Sequence, residues 1–412
     1  MNETFHIISD GSCDLPSGLA EEKNITVVPF YVSFDDEHYL KEDVEIGIRD
    51  FYRQMVEKKG VFPKSSMPSA NDYGEAFLPY AIEGTPVVCI CITTKFSGSM
   101  QSALNAKAAI LEKYPQAEIT VIDSTVNTVL QGQYVLEAVR LRDNGFSYQA
   151  AIRRLEEIKS TGRIFFTVGN MEYLKHGGRI GKVAAVAGSV LDIRPLITLK
   201  QGEIFPSGMD RGRKRTSQKV MELLLEYLRE SSLDANCYSL AVGYGYDREE
   251  GAAFRDRALA ALYENGYDIK EIPVYQIGAT IGVHTGPYPL GFGIIEKGIL
   301  LGLISNCFSE EAAVIRESVL FSYFDAVLLS CEQGVQKPDH EIFKRCMGEL
   351  AVKAGECLYV GDGGSRELET AKSLGMTAVQ AAWYLQDGTM QPTGRKTDFP
   401  QMESPLEVLD YV

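Results

Sequence analysis

The chain has no apolar run approaching the roughly 18 residues of a membrane span, and no basic stretch followed by an apolar one near Met1. Neither a span nor a signal peptide is expected, and the cytoplasm is the expected compartment. Basic residues are in deficit, 41 Lys and Arg against 56 Asp and Glu, for a net charge of -15. A phosphate backbone would be repelled by that balance, which excludes general nucleic-acid binding but leaves room for a local site that takes a small anion. The eight cysteines are scattered and form no C-x-x-C, and the five histidines form no H-x-x-x-H. That excludes a disulfide scaffold and argues against a zinc site, so the cysteines read as small buried residues in a reducing compartment. Internal repeats and low-complexity tracts are absent too. What remains is ordinary globular chain, 45% hydrophobic and 24% charged, and 412 residues allow two to four domains.

Short apolar runs alternate with amphipathic stretches of helix length. Phe5–Ser9, Thr26–Phe30, Val87–Ile92, Ile119–Ile122 and Ile164–Val168 are rich in β-branched or aromatic residues and bounded by turn formers, which predicts strands. Arg49–Lys58, Ser102–Lys113, Gln131–Asp143 and Tyr148–Lys159 predict helices between them. This alternation implies parallel sheet covered by helices. A helical stretch broken by Gly177, Gly178 and Gly181 marks a second α/β lobe, with strands at Ile193–Leu199, Ser239–Val242 and Ile269–Tyr275. A third register begins near Ile299, with strands at Ile299–Ile304, Ala326–Leu329, Cys357–Val360 and Thr377–Val379 and helices at Ser309–Val319, His340–Leu350 and Ser365–Leu374. The Pro- and charge-rich stretch from Gln386 is expected to wrap the surface.

Three segments carry candidate chemistry. Thr93 to Ala103 (TTKFSGSMQSA) follows a buried strand and opens a helix, where unpaired N–H groups and hydroxyls suit a carboxylate or phosphate. Gly98 would let a ligand approach the backbone. Taken alone the segment reads first as an ordinary Ser-capped helix start. Lys64 to Ser69 (KSSMPS) is a second hydroxyl-rich loop, and His284 stands between glycines and a proline in Ile281 to Pro287 (IGVHTGP). Asp10 and Asp123 each end a strand, either at a ligand crevice or as loop caps. The basic run Arg211-Gly212-Arg213-Lys214-Arg215 is either a solvated helix start or a docking point.

Together, Ser9 to Pro16 (SDGSCDLP), Ser65 to Ser69 (SSMPS), Phe96 to Ser99 (FSGS), Val121 to Ser124 (VIDS), Leu174 to Ile180 (LKHGGRI) and His284 to Pro287 (HTGP) occur in the order seen in the DegV family. The chain resembles that family over roughly its first 290 residues. DegV proteins are bacterial fatty-acid-binding proteins and include the FakB subunits of fatty acid kinase. The resemblance implies a two-lobed α/β fold, lobes 1–160 and 161–298, with a ligand tunnel between them. It implies a long-chain fatty acid as the ligand, no cofactor, and a carboxylate held by Ser65, Ser97, Gly98 and His284. An ATP-dependent fatty acid kinase subunit would form the acyl phosphate, with Arg211 and Arg213 as contacts for that partner or for phosphate. The chain itself has no G-x-x-x-x-G-K-[ST] with which to bind ATP. Two departures stand out. Ser65 and Met67 replace the usual Thr and Gln of the second segment, which keeps the hydroxyl, and Tyr288 replaces a Gly and would alter the loop or entrance.

From about Ile299 the chain resembles the haloacid dehalogenase (HAD) superfamily. Gly302 to Asn306 (GLISN), Gln336 to Asp339 (QKPD) and Val360 to Gly364 (VGDGG) match its second, third and fourth motifs, with Ser305, Lys337 and Asp362 as the key positions and Glu367 as an accompanying acid. The first motif, Asp-x-Asp, occurs nowhere. The resemblance therefore implies a partial Rossmannoid α/β segment over 299–412, without the first motif and its cap. It has no nucleophile for an aspartyl-phosphate and has lost a main Mg²⁺ ligand. A Mg²⁺-dependent phosphatase is the alternative function, and the absent motif weighs against it.

Overall fold

The computed structural model describes residues 5–58, 60–143, 146–186, 193–231, 235–267, 269–297, 299–350, 352–385 and 394–411. The chain divides into two compact units, one drawn from residues up to Gly298 and one built on Ile299–Val412. Among the described residues no helix is long and apolar enough to cross a membrane.

The first unit holds two main sheets. One is four-stranded and wholly parallel, in the order Ile25–Val28, His6–Asp10, Val87–Cys91, Ile119–Asp123. Its two central strands are buried at every position; Val87–Cys91 reads as an unbroken apolar run for that reason, whereas His6–Asp10 buries His6, Ser9 and Asp10 beside Ile7 and Ile8. Helices Ala70–Glu83 and Ser99–Lys113 cover one face through Tyr73, Phe77, Ala103, Ala106 and Ile110. The other sheet has six strands and is antiparallel except for its last pair. Its order is Glu203–Arg211, Ile193–Lys200, Arg163–Thr167, Leu290–Glu296, Tyr238–Tyr244, Val274–Gln276.

This antiparallel character differs from the expected parallel pattern for local reasons. Gln201 and Gly202 both have positive φ, 51° and 81°, and close a two-residue hairpin between the first two strands. The strand Leu290–Glu296 carries Gly291 and Gly293. A Cβ at 291 would lie 2.3 Å from the Phe165 carbonyl oxygen, and one at 293 would lie 2.9 Å from Leu130 Cβ. Both glycines are close-approach positions inside a strand.

Helix Thr128–Asp143 is buried on all sides, Gln131, Gln133, Glu137 and Arg142 included. Gly132 packs on Cys13 at the end of the parallel sheet, while Leu130 packs on Gly293 of the antiparallel one. The four-stranded sheet falls within residues 1–160 and the six-stranded sheet within 161–298, and this helix packs against both. A third, small sheet (Leu40–Lys41, Tyr31–Ser33, Lys64–Ser66) carries Ser65 on an edge strand, where the sequence suggests a loop.

The second unit has a parallel pair, Gly302–Ser305 with Ala326–Leu329, and a parallel triplet, Leu358–Gly361, Thr377–Ala381 and Gln401–Met402. The pair and the triplet are separate sheets. Ile342, Phe343 and Cys346 of helix His340–Glu349 and Leu368 and Ala371 of helix Glu367–Leu374 join them in one core. Gly302–Ser305 and Leu358–Gly361 are only partly buried, unlike the central strands of the first unit. Instead of only wrapping the surface, the C-terminal stretch supplies the strand Gln401–Met402; residues 386–393 lie outside the described residues.

Candidate functional site

The site in the first unit starts from Asp10, at the end of a fully buried strand. One carboxylate oxygen accepts from Ser12 Oγ (3.0 Å) and Gln131 Nε2 (2.8 Å), the other from Ile92 N (2.9 Å) and Ser99 Oγ (2.8 Å). Burial pushes this carboxyl above its ordinary range, against those four hydrogen bonds. All four donors are protein groups, so Asp10 acts as a clamp on the chain at Ile92 and on the helix start at Ser99. Asp123 pins the intervening turn by accepting from Thr94 Oγ1 (2.6 Å) and Thr125 N (2.8 Å). Between these fixed points lie Ser97 and Gly98, and Ser97 Oγ accepts from Ser99 N at 3.2 Å. A Cβ at Gly98 would lie 2.9 Å from Met67 Sδ, so the glycine lets the Ser65–Met67 loop close onto the helix start.

Ser65 sits opposite Val32 in the small sheet, and its Oγ lies 3.2 Å from His284 Nε2. His284 ends the helix Ala279–Thr285, which Gly286 terminates at φ 75°. Its Nδ1 is buried without a partner. A Cβ at Gly177 would lie 2.1 Å from that atom, so the first glycine of Leu174 to Ile180 is the surface on which the ring rests. Burial, and then the nearby Arg179 guanidinium, lower the His284 pKa to about 4. The imidazole is neutral near pH 7.

Ser65, Ser97, Gly98 and His284 line one cavity of about 300 Å³. This is the lower end of the usual range for small-ligand sites. Phe30, Ile92, Val129, Phe166, Ile277 and Phe292 contribute its apolar wall. Thr128 and Thr280 also line it, and each is tied to a buried carboxylate behind the wall. Thr128 Oγ1 donates to Asp14, and Thr280 donates to Glu42 through Oγ1 (2.5 Å) and N (3.1 Å). Asp14 Oδ1 and Glu42 Oε1 lie 2.4 and 2.5 Å from the point a Cβ at Gly278 would occupy, so they are neighbours. Burial raises both, Glu42 to about 7, and Glu42 raises Asp14 further.

Arg211 and Arg213 line neither this cavity nor the adjoining pocket. Arg211 is exposed at the end of a strand. Arg213 is held by Glu250 through Nε and Nη2, each at 2.6 Å, and donates to the Tyr288 carbonyl at 2.9 Å. Tyr288 keeps negative φ, and its ring packs over Gly169 and edge-on to Tyr246. Arg179 was not singled out from sequence, yet it lines the cavity and acts on His284. The glycines around it, Gly177, Gly178 and Gly181, were the available signal. The Asp14–Glu42 pair was also missed, because 28 residues separate two acids that only the fold brings together.

In the second unit, Ser305 ends one strand and Asp362 follows another, while Lys337 lies in the loop after the short helix Ser330–Gln333. Asn306 ties two of the motif segments, exchanging hydrogen bonds with the Lys337 backbone at 2.8 and 2.9 Å. Lys337 Nζ is paired with Glu367, which also accepts from Tyr359 OH (2.9 Å) and Gly363 N (3.2 Å). Asp362 accepts from Gly364 N at 2.7 Å. The HAD resemblance implies Mg²⁺ here, and this donor set does not fit it. Glu367 is occupied by a cation and two N–H or O–H donors, and among the described residues no three His, Cys, Asp or Glu side chains converge as a metal site requires.

A family model described as "Uncharacterised protein, DegV family" matches residues 4–297, and one described as haloacid dehalogenase-like hydrolase matches residues 293–375. A crystal structure of a stearic-acid-binding protein from Eubacterium ventriosum is 42% identical, with a TM-score of 0.67, covering 71% of this chain and 98% of that one. A fatty-acid-binding DegV family protein from Thermus thermophilus is 29% identical, with a TM-score of 0.63, covering 71% and 99%. A DegV domain-containing protein of Clostridium perfringens is 30% identical over 293 residues, 71% of this chain and 98% of its own length. The chain therefore belongs to the DegV family and carries a haloacid dehalogenase-like segment after its DegV region.

Proposed function

We propose that this protein binds a long-chain fatty acid in the cavity of its first unit and presents the carboxylate to an ATP-dependent kinase subunit. The observation that carries the reading is the cavity itself, an apolar chamber of about 300 Å³ on which Ser65, Ser97 and His284 converge. The E. ventriosum and T. thermophilus relatives, named for fatty-acid binding, support it. Burying a C16-like tail at about 0.8 kcal/mol per CH₂ contributes on the order of 10 kcal/mol. The head group then needs only a few hydrogen bonds to fix its orientation. With His284 neutral, an Nε2–H donates toward Ser65 or the carboxylate, and the hydroxyls of Ser65 and Ser97 supply further donors. In the kinase step a carboxylate oxygen attacks the terminal phosphorus of ATP and the bond to the ADP oxygen breaks, leaving an acyl phosphate on this chain. Arg211, exposed and unspent on either cavity, is the contact for the kinase in this reading.

The second unit is read as catalytically silent, since Lys337 is neutralised by Glu367 and the chain has no Asp-x-Asp. Denaturing extraction of purified protein followed by mass spectrometry tests the binding reading. It should release a long-chain fatty acid at about one per chain, by analogy with pockets that bury most of a ligand. No lipid released, and no binding of a fluorescent fatty acid, would overturn it.

A further inference from the structure

Among the described residues, which include all eight cysteines, only Cys331 is an exposed cysteine. Its Sγ lies 3.9 Å from that of half-buried Cys307. Sheet register brings the two thiols together. Strands Gly302–Ser305 and Ala326–Leu329 pair in parallel with Ser305 opposite Leu329, and each cysteine stands two residues past that pair. Ser330 Oγ holds the two segments side by side there, accepting from Cys307 N at 3.0 Å and donating to Cys307 O at 3.2 Å. Neighbouring strands run about 4.8 Å apart, within the Cα separation of about 4.4–6.8 Å that a disulfide spans. Side-chain rotation is then enough to close the remaining gap.

Cys89 and Cys91 show what access adds. Their Sγ atoms are also 3.9 Å apart, but both residues lie fully buried in a central strand. Cys331 instead meets solvent. Arg316, paired with Glu332 at 2.6 Å, stands close enough to feel a charge on Cys331. Burial, and then the Cys331 thiol, raise the Cys307 thiol above its ordinary range. The exposed thiol is therefore the one a reagent meets first, and Cys307 is placed to resolve the adduct.

We propose that Cys307 and Cys331 form a redox modification site, a thiol pair that a low-molecular-weight disulfide converts to an intramolecular disulfide. The Cys331 thiolate attacks one sulfur of the reagent, forming a mixed disulfide and expelling one reagent thiolate. The Cys307 thiolate then attacks the Cys331 sulfur, closing the Cys307–Cys331 bond and expelling the second reagent thiolate. The chain loses two electrons, the reagent gains them, and the two protons lost by the cysteines end on the two released thiols. In a reducing compartment such a pair rests as the dithiol and closes transiently. The bond ties Cys307 to the first turn of helix Ser330–Gln333, and the neighbouring Asn306 holds the Lys337 backbone. The second unit, read above as catalytically silent, thereby carries a chemistry of its own, independent of the fatty-acid reading.

The test treats reduced full-length protein with excess oxidised glutathione, blocks the remaining thiols with iodoacetamide, and maps the peptides by mass spectrometry. A Cys307–Cys331 cross-link should form and a dithiol reductant should reverse it, while Cys89 and Cys91 react with iodoacetamide only after denaturation. Cys307→Ser should stop at a glutathione adduct on Cys331. Cys331→Ser should slow glutathione addition at Cys307 by about ten-fold or more relative to addition at Cys331, because the half-buried thiol is then left to react alone. Thermal melts of the reduced variants check that folding is intact, and the wild-type map stands without them. A wild type in which both cysteines stay reduced, or that stops at a stable glutathione adduct, or that cross-links through other cysteines or between chains, would overturn the thiol pair.

Discussion

Each unit of this chain gathers polar side chains at the C-terminal ends of parallel strands, and each uses a buried acid as the organiser. In the first unit Asp10 takes four hydrogen bonds from the protein, and by doing so fixes a turn that turns Ser97 toward a cavity. In the second, Glu367 takes Lys337, Tyr359 and the Gly363 N–H, and the cation that a phosphoryl site would need is consumed. Similar placement at sheet ends thus gives a chamber in one case and a closed ion pair in the other. The difference lies in what flanks the organising acid. Asp10 ends a fully buried strand paired on both sides, by Ile25–Val28 and by the buried Val87–Cys91, whereas Leu358–Gly361 is partly buried and, among the described residues, pairs on one side, with Thr377–Ala381.

The largest expected effect comes from removing the two organisers. Asp10→Ala leaves the Ile92 N–H and three side-chain donors without their acceptor in a fully buried place. A loss of roughly 3–5 kcal/mol of stability is expected, together with loss of ligand binding. Glu367→Ala strands Lys337, so it should weaken the second unit but leave fatty-acid binding intact. Denaturant titration paired with a binding assay separates the two. If Asp10→Ala melts and binds like wild type, Asp10 is not the organiser.

Next come the head-group contacts. Ser97→Ala should cost roughly 1.5–3 kcal/mol of fatty-acid affinity, the size of a hydrogen bond to a charged group. Gly177→Ala should lower affinity at least as much as His284→Ala, because the added methyl occupies the place of the imidazole Nδ1. Isothermal titration of the three variants with palmitate decides this, and wild-type affinity in all of them would place the carboxylate elsewhere.

A smaller effect separates the units by pH. Glu42 has a folded pKa near 7, above its ordinary 4.5, and the neighbouring Asp14 is raised as well. A carboxyl raised in the folded state stabilises below its unfolded pKa and loses that contribution as pH climbs through the folded value. His284, lowered to about 4, acts in the opposite sense, losing stability as pH falls below 6.5. Between pH 6.5 and 8 the acid pair gives the larger change, and His284 gives a smaller one of opposite sign as its unfolded form loses its proton near 6.5. Asp43 lies beside Glu42, and Tyr52 feels both Asp14 and Glu42, but Tyr52 is raised above 10 and does not titrate in this window. The first unit should melt lower at pH 8 than at pH 6.5, by a few degrees at roughly 2–4 °C per kcal/mol, and Glu42→Gln should flatten that slope. An equal slope in the variant would place the pH response elsewhere.

Much of this was legible in sequence where the pattern was local. The central strands announce themselves as apolar runs, and Ser97, Ser65 and His284 stand in turn-rich segments whose spacing survives in the structure. The illegible parts depend on partners distant along the chain. The strand Leu290–Glu296 is not among those predicted, because Phe165 and Leu130, which demand its Gly291 and Gly293, lie more than a hundred residues away. Helix Thr128–Asp143 displays Gln131, Gln133, Glu137 and Arg142, which suggest a solvated face, yet it is buried all round because those groups are paired inside, as Gln131 is with Asp10 and Arg142 with the carbonyls of Lys23 and Asn24. Arg179 lies within the Leu174 to Ile180 segment, but its role depends on Phe96 and His284, which are distant along the chain.

The smallest expected effect is on the second unit's chemistry, and it is zero. Hydrolysis of a phosphomonoester by this arrangement would need a carboxylate nucleophile, a metal held by that carboxylate, and a lysine free to meet the developing charge. The chain has no Asp-x-Asp, the carboxylates near Lys337 do not form a metal set among the described residues, and Lys337 itself is bound to Glu367. The full chain should therefore give no turnover of p-nitrophenyl phosphate with Mg²⁺, and Asp362→Asn should change nothing. Turnover that copurifies with the protein and disappears in Asp362→Asn would show that a carboxylate from outside these motifs completes the site. The companion experiment ends the chain after Lys297. The core around Ile342, Phe343 and Leu368 is built only from residues between Leu300 and Phe399, so its removal should leave fatty-acid affinity unchanged. If the shortened chain unfolds or loses the lipid, the comparison between two separate units fails, and the second must be counted as part of the binding protein's own core.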